Sequence, residues 1–364
     1  MQQESHKITW LQLIRSPGIG PIRFWQLLRR YQTVEKAINS LSNAYPYKRA
    51  EKEFALHLQN GYHLVAAFES TFPRALKRCV DCPPILSIYG NPGILNDPML
   101  AIVGARNASL GGRQLSLRLA HQLGQAGWKI VSGLARGIDG QAHQGALPTG
   151  TIAVLAGGVD CLYPPEHQNL YHQIAEKGAV ISEMPLGSTP AAGLFPRRNR
   201  LIAGLSQGVI VIEAAFRSGS LITAHYALEQ GTEIFAVPGS PLDPRCSGSN
   251  NLIKQGACLV ETSDDVLTVL GSPSSNLRSD PAPEPLPLST KEEDIPCFPL
   301  EDRPAGDLKQ QLLADLSLTA LDIQSLLEHY DHYPPAIILG LLSELEIEGR
   351  VQRQPGNRIS LMID

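Results

Sequence analysis

Between residues 98 and 270 the chain alternates short, wholly apolar runs with longer stretches whose apolar residues fall at helical spacing. The runs lie at 100–103, 129–131, 151–155, 179–181, 209–212 and 233–237, and nearly every one ends in Gly, Ser, Glu or Pro. A run that is apolar throughout, with no polar alternation, suits a strand buried on both faces. Such strands separated by helices predict a mostly parallel, doubly wound α/β sheet. Ligands of these sheets bind outside the carboxyl ends of the strands. The least ordinary residues of this chain stand at those ends.

The flanks read differently. Residues 1–65 form an N-terminal helical unit, with apolar spacing in Trp10, Leu11, Leu13 and Ile14 and again in Phe24, Leu27, Leu28 and Tyr31. Between them lies a tight turn containing Pro17, Gly18, Gly20 and Pro21. A helix, a Gly-x-Gly turn and a second helix are similar to a helix-hairpin-helix, whose amides face a phosphate. A plain helical hairpin with glycine at positive φ fits equally well. Residues 66–97 connect to the sheet through a strand at 85–89, so the sheet domain runs 66–270. Eight prolines with Ser, Asp and Glu make 271–306 an extended linker. Residues 307–364 hold helical segments near 308–313, 320–327 and 335–348. An alternating stretch with a central turn follows at 349–361, and together they predict a winged helix.

Charge narrows the reading. The formal net charge is −4, so any nucleic-acid site is local. Residues 98–270 carry equal numbers of basic and acidic residues, yet many of the basic ones fall in loops at strand ends. The opening MQQESHKITW has no apolar signal-peptide core, and no apolar run approaches the ~20 residues of a bilayer span. No membrane contact is expected. The six cysteines are scattered, which fits a reducing, cytoplasmic location. Cys79 and Cys82 form one C-x-x-C pair with no second pair or histidine cluster. They read as free thiols, and neither a metal nor a cofactor is expected.

Four loops carry the chemistry. The first runs through Gly104, Arg106, Gly111 and Gly112, a glycine loop opening a helix, which is the geometry of a phosphate seat. It lacks the Gly-Lys-Ser/Thr of a P-loop and the G-x-G-x-x-G of a dinucleotide fold. The second holds Gly133, Arg136, Gly137 and Asp139, then His143. Asp139 reads as a helix cap and His143 as a packed structural residue. The third places Arg197, Arg198 and Arg200 directly behind Phe195 and Pro196, with Asn199 among them. Arginine neutralises phosphate, and an aromatic face stacks any base. The fourth sets Ser218, Gly219 and Ser220 at a helix start.

In this order, Gly104-x-Arg106, Ser132-Gly133-Leu134-Ala135-Arg136-Gly137-Ile138-Asp139, Phe195-Pro196-Arg197-Arg198-Asn199-Arg200, Ser218-Gly219-Ser220 and Val237-Pro238-Gly239 resemble the DprA/Smf (DNA-processing protein A) family. The resemblance is dense over 98–260 and looser at the flanks. It implies an extended Rossmann-like domain that binds single-stranded DNA. It also implies a homodimer that protects incoming strands and helps load the RecA recombinase in natural transformation, without a catalytic centre. Loops and resemblance together nominate Gly104, Arg106, Gly133, Arg136, Phe195, Arg197, Arg198, Asn199, Arg200, Ser218, Gly219 and Ser220 as DNA-binding residues. Ala105 stands where many members have Ser or Thr, and Ala156 where Gly is usual.

On this reading Arg106, Arg198 and Arg200 contact phosphates and Phe195 stacks a base. The rival is a nucleotide-binding or nucleotide-hydrolysing enzyme of the related phosphoribohydrolase (lysine-decarboxylase-like) group, with Glu183 and Glu213 as acids or bases. Those enzymes carry Pro-Gly-Gly-x-Gly-Thr where this chain reads Glu213-Ala214-Ala215-Phe216. A small-nucleotide sensor is the other rival. From 306 to 364 acidic residues outnumber basic ones nine to four. An acidic winged helix is a poor DNA reader, so a protein-contact or regulatory role is expected of it.

Overall fold

The computed structural model describes residues 2–273 apart from 217. It also describes 308–362 apart from 331–332, 334–337, 339–340, 343–344, 347 and 355–357. The expected linker 271–306 lies almost wholly outside the described residues, as do the hairpin turn and part of the last expected helix.

Four helices open the chain: α1 (Gln2–Ile14), α2 (Pro21–Tyr31), α3 (Val34–Asn39) and α4 (Tyr47–Gln59). Gly18 takes φ +72° in the turn between the first two. Pro21 stands in the first turn of α2, where a missing N–H is harmless. Leu13, Ile19, Phe24, Val34 and Ala37 form the core of this unit. It sits on the rest of the molecule through Trp25, whose Nε1 donates to Cys82 O at 2.7 Å, and Lys7, whose Nζ donates to Leu64 O at 2.8 Å.

The sheet has nine strands: β1 (His63–Ala66), β2 (Ile85–Gly90), β3 (Met99–Gly104), β4 (Lys129–Ser132), β5 (Thr151–Val154), β6 (Ala179–Ser182), β7 (Gly208–Ile212), β8 (Glu233–Ala236) and β9 (Cys258–Leu259). Their spatial order is β1-β2-β6-β5-β4-β3-β7-β8-β9. From β6 to β9 every neighbouring pair is parallel, and β1 and β2 add an antiparallel edge. Helices α5 (Leu110–Gln125), α6 (Ile138–Ala146), α7 (Gln168–Lys177), α8 (Leu194–Leu205), α9 (Gly219–Glu229), α10 (Ser247–Lys254) and α11 (Ser263–Leu270) fill the connections.

Side chains of β3 alternate between two cores, as a pleated strand requires. Met99, Ala101 and Val103 join α8 and α9 on one face, whereas Leu100 and Ile102 join α5 and α6 on the other. The helix after β3 therefore lies on the opposite face from the helix after β7, although the two strands are neighbours. That reversal opens a crevice at their carboxyl ends.

The C-terminal unit contains α12 (Leu308–Asp315), β10 (Leu321–Asp322), α13 (Ile323–His329), β11 (Val351–Gln354) and β12 (Arg358–Leu361). Its three strands run in the order β10-β12-β11. Leu312, Leu316, Leu326, Leu342 and Val351 form its core, which also takes in Leu110 from α5. Among the described residues no helix is long and apolar enough to cross a membrane.

Candidate nucleic-acid interface

The first loop leaves β3 at Gly104, where a Cβ would lie 1.9 Å from Ile212 O. Only glycine lets β3 and β7 run this close, and Ala105 N donates to Glu213 O at 2.7 Å. Ser109 caps α5 by accepting from Gly112 N at 3.0 Å. The Glu213 carboxylate accepts from Ser109 N at 2.7 Å and from the Ser109 hydroxyl. Glu213 itself is buried at φ +47°, a left-handed conformation costly for a residue with a Cβ. The phosphate seat expected at the start of α5 is thus filled by the protein's own carboxylate. Arg106 lies outside that seat and is exposed.

The second loop is also closed from within. Gly133 N donates to Asp139 Oδ2 at 3.1 Å. Gly137, not Asp139, occupies the cap of α6. Burial raises the pKa of Asp139, against the pull of Arg198 and of backbone donors. His143 is fully buried, with Nδ1 2.8 Å from Thr151 Oγ1. The Thr151 hydroxyl donates to Ile130 O, so it accepts from His143 and fixes the proton on Nδ1. Burial, with the charges of His167 and Arg198, pushes the His143 pKa down to about 3.

The run at the start of α8 splits by direction. Arg197 is exposed, and Arg198, Asn199 and Arg200 are buried. Arg198 Nη1 donates to Gly133 O at 2.5 Å and Val154 O at 2.7 Å, tying α8 to the ends of β4 and β5. Its guanidinium rests where a Cβ on residue 133 would be, 2.1 Å from Nη1, which explains Gly133. Burial lowers the Arg198 pKa to about 10, with Asp139 opposing and Arg106 adding to the drop. Asn199 Nδ2 donates to Gly219 O at 3.0 Å and so locates α9. Arg200 pairs with Glu183 and, at 3.3 Å, with Asp81. Burial works against its charge, but Glu183 and Asp81 outweigh burial and its pKa is raised. Arg198 and Arg200 were expected at phosphates. They are instead buried residues bonded into the framework, because a helix buried along 198–205 must satisfy its guanidinium groups internally.

Phe195 is half-buried and lies between two guanidinium groups, with Arg106 Cζ 4.9 Å and Arg198 Cζ 5.9 Å from its ring centroid. Tyr163 meets it edge-on at 6.2 Å. Beyond Arg106 opens a cleft of about 320 Å³, lined in part by Asn107, Arg113, Arg136 and His167. Arg136 is exposed and pairs with Glu166, whose pKa that hydrogen bond lowers. At the fourth loop, Ser218 caps α9 and accepts from Ser220 N at 3.2 Å, with the two hydroxyls paired. Gly219 is exposed. Tyr163, Arg113 and His167 were not picked out from the sequence: Arg113 directly follows Gly111 and Gly112 of the first loop, so a sign for it was present, whereas Tyr163 and His167 come from a segment with no phosphate-loop signature.

Family models match the chain along most of its length. DNA recombination-mediator protein A matches residues 63–271, the DprA-like N-terminal HHH domain residues 4–53, and the DprA winged helix domain residues 298–357. The chain belongs to the DprA/Smf family. Protein Smf of Escherichia coli is 38% identical over 333 residues, covering 90% of this chain and 85% of that protein. DNA processing protein DprA of Bacillus subtilis is 38% identical over 243 residues, 66% of this chain and 80% of that one. The crystal structure of DprA from Streptococcus pneumoniae superposes with a TM-score of 0.62 at 33% identity, over 72% of this chain and 97% of that one. A Helicobacter pylori DprA structure, described for its single-stranded DNA binding mode, gives 0.53 at 30% identity, over 57% and 95%. The expected α/β sheet, N-terminal helical unit and winged helix are therefore those of DprA/Smf proteins.

Proposed function

We propose that this chain binds single-stranded DNA in the cleft beside Phe195, with Arg106, Arg136 and Arg197 at the sugar-phosphate chain and the Phe195 ring beneath a base. The observation that carries the reading is the exposed Arg106 guanidinium stacked on a half-buried aromatic at the sheet's switch point. A planar cation and a ring in contact serve a polyanion with stackable bases. The partially exposed amino end of α9 at Ser218, Gly219 and Ser220 extends the same rim. Gly104, Gly133, Arg198, Asn199 and Arg200 serve indirectly, by holding the loops.

By kinship with DprA proteins, the role is DNA processing in natural transformation: a cytoplasmic homodimer that protects incoming strands and hands them to RecA. The binding reading is favoured over the enzyme because both strand-end carboxylates are occupied. Glu213 holds Ser109, and Glu183 holds Arg200.

Fluorescence anisotropy with a mononucleotide, a labelled oligothymidylate and a duplex tests the proposal. Affinity is expected to climb steeply from mononucleotide to oligonucleotide and to favour the single strand over the duplex. Mononucleotide binding as tight as that of the oligomer, or release of free base, overturns it.

A further inference from the structure

The winged-helix unit closes one side of the cleft. Asp315, the last residue of α12, lines the cleft together with Ala314 and pairs with Arg113 in the first turn of α5. Two further contacts of different chemistry hold it there. Arg245, itself fixed by Asp243, donates to Ala314 O at 2.8 Å and Leu316 O at 2.6 Å. Leu110, 4% exposed, enters the winged helix's own core. On its far side Asp315 accepts from the Tyr330 hydroxyl at 2.6 Å, so the carboxylate is aimed and not merely nearby.

Arg113 is the cation under that carboxylate. Its side chain is 21% exposed and that of Asp315 13%, so water screens the pair only partly. Arg113 Nε is buried and without an acceptor among the described residues. A guanidinium that lines a cleft and is held there by one carboxylate from another unit suits exchange of that carboxylate for a phosphate. The unit that carries Asp315 is acidic, nine carboxylate residues against four basic ones over 306–364, so it repels a strand already in the cleft.

We propose that the carboxyl end of α12 is an intramolecular competitor of single-stranded DNA. Asp315 holds Arg113 until a phosphate of the strand displaces it, and the winged helix then leaves the cleft. The proposal rests on the DNA reading of the cleft and adds its regulation.

The test uses the full chain and a labelled oligothymidylate. Arg245→Ala removes the clamp from outside the cleft, and Asp315→Asn removes the competing charge. Each is expected to tighten binding roughly three- to ten-fold, the factor by which a mostly closed state weakens apparent affinity. Asp315→Asn is also expected to steepen the salt slope slightly, because salt then no longer weakens a competing ion pair. Arg113→Ala is expected to weaken binding more in the Asp315→Asn background than in the wild type. In the wild type, amide hydrogens of 308–315 are expected to exchange faster once DNA is bound, a measurement that decides the matter alone if the variants fold poorly. Unchanged affinity and slope in both variants with unchanged exchange, while Arg106→Ala still loses affinity, overturns the competition and spares the DNA reading. Wild-type affinity retained by Arg106→Ala in every background overturns the DNA reading itself.

Discussion

Arg106 and Arg198 approach the same ring, Phe195, at 4.9 and 5.9 Å, one exposed to solvent and the other buried and bonded to Gly133, Val154 and Asn199. The two guanidinium groups are alike in chemistry and opposite in availability. The buried one props the ring in place, while the exposed one shares the ring's outer surroundings with whatever enters the cleft.

The ring's contribution is separable from charge. Phe195→Ala is expected to weaken single-strand binding by about 1–3 kcal/mol, the usual worth of a stacked base. The salt slope is expected to stay constant, because no cation is lost. Anisotropy titrations at several salt concentrations check both. A flattened slope would show that Phe195 acts by positioning Arg106.

Arg200 is expected to behave as a stability residue. Its side chain is 7% exposed and holds Glu183, 9% exposed. Arg200→Ala strands a buried carboxylate, which typically costs about 3–5 kcal/mol. Calorimetry is expected to show a markedly lower melting temperature. A variant that melts like the wild type and only loses DNA affinity would return Arg200 to the contact set.

Glu213 fills the amino end of α5, so Glu213→Gln tests whether the seat there is structural. The amide keeps the shape and loses the charge that Ser109 N–H and the Ser109 hydroxyl donate to. Losing a charge-assisted hydrogen bond of this kind costs about 1–3 kcal/mol in stability. DNA affinity at a temperature where the variant is folded is expected to stay close to wild type.

His143 makes stability depend on acid. In the unfolded chain it takes a proton near its ordinary 6.5, and in the folded chain not until about 3. The unfolded state therefore binds more protons throughout that window. Its contribution is complete above pH 6.5 and is lost as pH falls toward 3. Between pH 7 and 4.5 the melting temperature of the wild type is expected to fall further than that of His143→Gln. Parallel curves would contradict the assignment.

The sheet was legible because strands buried on both faces are written as unbroken apolar runs, as at β3 and β7. The edge strands β1 and β9 were not. One is a four-residue strand whose apolar run, Leu64–Ala66, follows a helix after only a short turn, and the other is two residues long, so neither stands apart as a strand. At the site, the loops and Phe195 could be read from glycine and arginine placement. What the order of residues could not show is that Glu213, 104 residues away, occupies the cradle at Ser109. Nor did three basic residues in a row of four disclose that two point inward. The usable sign was Leu201 and Ile202 directly after them: a helix that is buried from its second turn onward leaves the arginines there no solvent to face.

The salt dependence of oligothymidylate binding by wild type and Arg106→Ala tests the central claim most directly. One lost phosphate contact is expected to lower the slope of log affinity against log salt by about 0.7. Identical slopes and equal affinities for the two proteins would contradict it, since the strand would then be held somewhere other than the Arg106–Phe195 rim.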